Sequence, residues 1–134
     1  MSRFVDTSVM VRYLTGVPAE GAEQAAGIID QEEDLQVTDV ALAETAFVLA
    51  SVYHFPRDAI VDHLVSFVRK ANISLFGLRK DVVIHTLLMC RPSGRVSFGD
   101  ALIWAAARSS GSGVIYSFDG RFPSEGLTVL REKK

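Results

Sequence analysis

The sequence has little cysteine: Cys90 is the single one among 134 residues. An internal disulfide is excluded, and so are the CxxC patterns that build metal ribbons and thiol redox centres. An excess of positive charge is also missing, since 14 lysines and arginines face 16 aspartates and glutamates for a formal net charge of −2. Without a generally basic coat, any nucleic-acid binding has to be local or assisted by a metal ion. No uninterrupted apolar run reaches membrane length, and the opening "MSRFVDTSVMVRYL" lacks the apolar core of a signal peptide. These absences lead to the expectation of a soluble, cytoplasmic protein in a reducing compartment, with no membrane partner. Histidine is sparse as well. His54, His63 and His85 fall at helix edges or on ordinary helices without an evident acidic companion, and read as structural or surface residues.

What is present is enough for one core. At 49% hydrophobic and 22% charged residues, the chain is expected to form a single domain over residues 1–134. Short apolar runs at Arg3 to Val5, "LQVT", "ISLFGL", "VIYSFD" and "LTVL" read as strands. Between them lie helical patterns. "TSVMVRYLT" carries Val9, Met10, Tyr13 and Leu14 at helical spacing, and "AEQAAGIIDQEED" fades into an acidic run that reads as a solvated surface. The stretch from Val40 to Tyr53 is apolar almost all round, which predicts a helix buried over most of its surface. "DAIVDHLVSFVRKA" places Ile60, Leu64, Phe67 and Val68 on one face. "FGDALIWAAAR" predicts a further helix, headed by Asp100 and ended near "SSGSG" by a left-handed glycine. "VIYSFD" is apolar on both alternating faces, the pattern of a strand covered on both sides. Strands alternating with helices predict an α/β domain with a mostly parallel central sheet flanked by helices.

Sorting the acids by their surroundings isolates four. Asp6 ends the first strand, Glu44 sits among the apolar residues Val40, Ala41, Phe47 and Val48, Asp100 heads an apolar helix, and Asp119 ends "VIYSFD". An unpaired carboxylate buried in such company is costly. In a parallel α/β sheet, sites form beyond the carboxyl ends of the strands, where these four can meet. Gathered carboxylates repel, so they share protons or bind cations, and an all-oxygen ligand set favours Mg²⁺ or Mn²⁺. Such a centre suits phosphoryl transfer, with phosphodiester cleavage as the leading chemistry. Ser8 and Ser117, close to two of the acids, are candidates to orient a carboxylate or hold metal-bound water. A plainer reading of each stays open: Asp6 and Asp100 as helix caps, with Ser97 as a near capping-box partner, Asp119 as a turn former with Gly120, and Glu44 paired to an arginine.

The blocks "FVDTSVMVRYL", "TDVALAETAFVL", "FGDALIWAAAR" and "YSFDGRF", in that order, resemble the signature blocks of the PIN domain, in particular the small VapC-type ribonuclease toxins of type II toxin–antitoxin pairs. The resemblance implies a PIN-like fold and a Mg²⁺- or Mn²⁺-dependent endoribonuclease that hydrolyses RNA. It carries Asp6, Glu44, Asp100 and Asp119 over as the catalytic, metal-holding acids, with Ser117 at the family's serine or threonine position. It also implies a small cognate antitoxin and a homodimer. Two other ribonuclease-fold readings stand beside the toxin: a catalytically silent binding module, and a free-standing RNA-processing nuclease. A haloacid-dehalogenase-like phosphatase is disfavoured because "DTSV" lacks a second aspartate two places after Asp6. Arg12, Arg95, Arg108 and Arg121 lie near the acidic blocks and are candidates for RNA phosphate contacts. Arg108 reads better as an ordinary surface or salt-bridge residue, and Trp104 as a core residue.

Overall fold

Each parallel strand in the first half of the chain hands over to a helix within a few residues, and a polar side chain marks several of these joints. A computed structural model describes residues 2–132. Strand β1 (Arg3–Phe4) leads to α1 (Thr7–Thr15), whose N-cap is Asp6. Gly16 ends α1 at φ 72°, a left-handed conformation that favours glycine. Helix α2 (Ala19–Gln31) and strand β2 (Leu35–Val37) follow, then α3 (Asp39–Ser51), where the Thr38 hydroxyl accepts the Ala41 N–H at 3.1 Å as a cap. Pro56 precedes α4 (Arg57–Val68), where its missing N–H costs nothing. Strand β3 (Ile73–Leu75) and α5 (Lys80–Met89) come next. The Ser97 hydroxyl then caps α6 (Phe98–Ser110) by accepting the Asp100 N–H at 3.0 Å, and Gly111 ends it at φ 81°. The chain closes with β4 (Val114–Tyr116) and β5 (Thr128–Leu130).

All strand pairs are parallel, as the alternation with helices predicts, but the strands divide between two sheets. One has the order β1-β2-β3 and the other pairs β4 with β5. In the first sheet Leu35, Val37, Ile73 and Leu75 point into the core, while Gln36 and Ser74, in register with Phe4, face outward. Phe4 and Phe76 are 58% and 60% exposed, with their rings edge to face at 5.4 Å. The buried side chains form one cluster that includes Met10, Ile29, Leu49, Leu64, Phe67 and Trp104. Trp104 is thus a core residue, as expected.

Helix α6 packs on α5 and α3. Thr86, wholly buried, donates its hydroxyl to the Ala101 carbonyl at 2.8 Å, tying α5 to the first turn of α6. Cys90 is also buried there, and burial pushes its thiol pKa up. The C-terminal strands are held to α6 by a short strap. Trp104 Nε1 donates to the Glu125 carbonyl at 2.9 Å, Arg108 to the Gly126 carbonyl at 3.1 Å, and the Phe122 ring is buried.

Two expectations about burial fail. The β4 pattern is not covered on both sides: Ile115 packs toward the core, while Val114, Tyr116 and Phe118 stand in solvent, Phe118 at 91%. Helix α3 buries Ala41, Leu42, Thr45, Ala46 and Leu49 but leaves Val40 and Phe47 exposed, Phe47 at 70%. In both cases apolar side chains of one face are left largely exposed. Among the described residues, no helix is long and apolar enough to cross a membrane.

Candidate functional site

Asp6 and Glu44 come from neighbouring parallel strands: Asp6 follows β1, and Glu44 lies in the second turn of the helix that follows β2. Together they line a cleft of about 480 Å³, shared with Ser8, Arg12, Pro18 and Tyr53. Asp6 accepts two hydrogen bonds at Oδ2, from the Ser8 hydroxyl at 2.7 Å and the Ser8 N–H at 3.2 Å. The Ser8 hydroxyl bond, and then the Ser8 N–H, hold the Asp6 carboxyl below the usual range, so it stays ionised. Ser8 therefore orients a carboxylate, one of the two roles expected of it, and Asp6 is a helix cap at the same time. Glu44 corrects the sequence reading. It is exposed, as are its neighbours Val40 and Phe47, and not buried among them.

Asp100 and Asp119 form a second pair. Asp100 is half-buried in the first turn of α6, and Asp119 follows β4. Burial is the main cause that raises the Asp100 pKa; a hydrogen bond and charge repulsion from Asp119 add to it, and the Ser97 bond opposes it. Asp119 is held by a local turn. Its N–H donates to the Ser117 hydroxyl at 3.1 Å, and its Oδ1 accepts the Arg121 N–H at 2.8 Å. The capping and turn roles left open by the sequence are thus real for Asp6 and Asp119, and Ser97 caps the helix that Asp100 heads. None of these roles explains why two carboxyls face each other.

The family model for the PIN domain matches residues 3–124. The chain belongs to the PIN domain family. Among solved structures, this PIN domain is similar to VapC20 of Mycobacterium tuberculosis, described as a sarcin–ricin-loop-cleaving toxin. The identity is 21% and the TM-score 0.46, over 98% of this chain and 100% of that one. No curated protein matches it significantly.

Among the described residues of the PIN domain, no three histidine, cysteine or acidic side chains stand together as a metal cage. Its acids stand as two pairs. The donor chemistry nonetheless fits a hard cation: Mg²⁺ is commonly held by one or two carboxylates, with water and substrate phosphate completing its shell. The histidines stay outside. His63 packs beside the Phe55 ring, and His85 does have an acidic companion, Glu125, at 3.3 Å. That pairing was invisible in sequence because 40 residues separate the two.

The structure also sorts the arginines. Arg108 lies over the Trp104 ring and donates to Gly126, a structural role in keeping with its sequence reading. Arg57 donates to the carbonyls of Cys90 and Val96 beneath the Phe98 ring, and Arg91 grips Asp62 through two bonds at 2.9 and 3.0 Å. Arg12 alone of the arginines lines the cleft with Asp6 and Glu44. Tyr53, at the same cleft, was not singled out from sequence, and nothing in its local pattern marks it.

Proposed function

We propose that this PIN domain is a divalent-metal-dependent endoribonuclease acting as the toxin of a toxin–antitoxin pair. The observation that carries the reading is the cleft that Asp6 and Glu44 line together, in a chain matched by the PIN domain model over residues 3–124, whose other two family acids, Asp100 and Asp119, interact with each other. Facing carboxylates are costly without a cation or a shared proton, and the cost disappears when a Mg²⁺ or Mn²⁺ ion is bound. In this reading Asp6, Glu44, Asp100 and Asp119 would hold the metal, and a bound metal would supply water activation and charge neutralisation at the scissile phosphate. Ser8 keeps the Asp6 carboxylate ionised and fixed in direction. Ser117 fixes the backbone of Asp119. The apolar body of α6, anchored by Trp104 and by the Thr86 bond to Ala101, keeps the Asp100 carboxyl in place.

The partners in this reading are RNA, a small antitoxin and a second copy of the chain. The exposed Val40 and Phe47, one turn to either side of Glu44, support an apolar contact beside the acids, where a covering antitoxin segment would block them.

The test is cleavage of structured and unstructured RNAs with Mg²⁺ or Mn²⁺, with chelator, and after Asp100→Asn. Loss of cleavage by at least about a hundredfold on substitution, and complete loss with chelator, is the expected result. Cleavage indifferent to both would defeat the mechanism. RNA binding without cleavage at any metal would favour the silent binding module. Co-purification with a small DNA-binding protein separates a toxin from a free-standing processing nuclease.

A further inference from the structure

The cleft that holds Asp6 and Glu44 also contains a cation that neither acid engages. Arg12 lies one helical turn after Ser8 on the same face of α1, and both line the cleft. Among the described residues, Arg12 forms no salt bridge. Its stem is nevertheless seated. Gly21 of α2 approaches so closely that a Cβ there would lie 3.0 Å from Arg12 Cδ and 3.2 Å from Nε, with the Pro18 ring 3.4 Å from the same point. An arginine packed along its stem, left unpaired at its head and placed beside two carboxylates has its guanidinium fork available to a ligand. The oxygens such a fork matches best are those of a carboxylate or a phosphate. A carboxylate ligand would add a third negative group to Asp6 and Glu44. A phosphate adds one too, but it recurs at every nucleotide of an RNA chain, so it is the ligand that fits the ribonuclease reading.

We propose that Arg12 is a phosphate-clamping residue that holds a backbone phosphate of RNA beside Asp6 and Glu44, and that the missing side chain at Gly21 sets its reach. The proposal rests on the ribonuclease reading for its substrate class, but not for its readout. Arg12 also sits in the last turn of α1, where a positive charge favours the helix, so the test separates charge from fork.

Binding of a labelled single-stranded RNA is measured by fluorescence anisotropy between 50 and 200 mM salt, in Mg²⁺, with every variant carrying Asp100→Asn to suppress cleavage. Arg12→Gln should weaken binding several-fold and lower the slope of log affinity against log salt by about 0.7, the value of one phosphate contact on a single strand. Arg12→Lys should keep the slope and still bind more weakly, since it keeps the charge and loses the fork. Gly21→Ala should fall between wild type and Arg12→Gln. Thermal unfolding of each variant identifies any that has lost the fold, and in that event Gly21→Ala carries the test. Affinity and slope unchanged in Arg12→Gln would overturn the clamp, as would no measurable RNA binding by the parent. If the parent with Asp100 intact cleaves RNA while Arg12→Gln binds as the parent does, the clamp fails and the nuclease reading stands. If the slope falls as expected but no metal supports cleavage, the clamp stands and the nuclease reading fails.

Discussion

The two sheets of this PIN domain are built from the same kind of sequence and end in different environments. The β1-β2-β3 sheet has one face sealed by Leu35, Val37, Ile73 and Leu75, with helices packed behind it. The β4-β5 sheet touches the core through Ile115 and Val129, with Phe122 of the connection between its strands buried, while Val114 and Tyr116 on the other face are exposed. The acids divide in the same way. Asp6 follows a strand of the first sheet and Glu44 lies on the helix after the next strand of that sheet, Asp119 follows a strand of the second, and Asp100 stands on the helix to which the second sheet is strapped. If the four acids form one site, as proposed, one half of it is fixed by packing and the other by a few hydrogen bonds.

The largest effect should come from the sealed side. Phe67→Ala removes a large, almost fully buried ring and should cost about 3–5 kcal/mol in urea unfolding. A loss below about 1 kcal/mol would show that this core is far less tightly packed than it looks. Thr86→Val removes the buried bond to the Ala101 carbonyl and should cost about 1 kcal/mol in the same unfolding measurement; no change would mean that this bond does not hold the first turn of α6.

Asp100→Asn should act on stability in the opposite direction. Its pKa is raised in the folded state, chiefly by burial and then by Asp119, so folding favours the protonated acid. The ionised form weighs against the fold. That penalty is absent below the ordinary carboxylate range and grows to its full size as pH rises through the raised value. The variant should therefore melt higher than wild type at neutral pH in the presence of chelator, and gain nothing near about pH 3. A gain of equal size at both pH values would remove Asp119 repulsion and burial as its cause. The smallest effect belongs to the open face: Phe118→Ser should change stability by less than about 0.5 kcal/mol. A larger loss would mean that the second sheet is covered in solution.

Much of this architecture was legible in the residues. Asp6 and Ser97 mark helix starts that a short polar side chain can cap, and the glycines of "SSGSG" mark an end, which Gly111 supplies; Thr38, which reads as the close of a strand, caps α3 as well. The order of the acidic blocks pointed to the PIN family. Burial was less legible, and for one reason. An apolar face in a sequence says that a side chain disfavours water, not that a neighbour is there to cover it. Hence the pattern of α3 predicts burial nearly all round, although Val40, Glu44 and Phe47 are exposed. The same gap explains β4. The companion of His85 and the seat of Arg12 against Gly21 depend on contacts between distant elements, which spacing along the chain does not encode.

The burial of Cys90 has a practical consequence. A thiol that is shielded from solvent and kept protonated reacts slowly with maleimides, so the chain is in effect free of competing label sites. Phe118→Cys would then introduce one fast-reacting position, on the most exposed apolar residue and directly before Asp119. A dye placed there would report, in real time and without perturbing the sealed sheet, whatever approaches the strapped half of the acids.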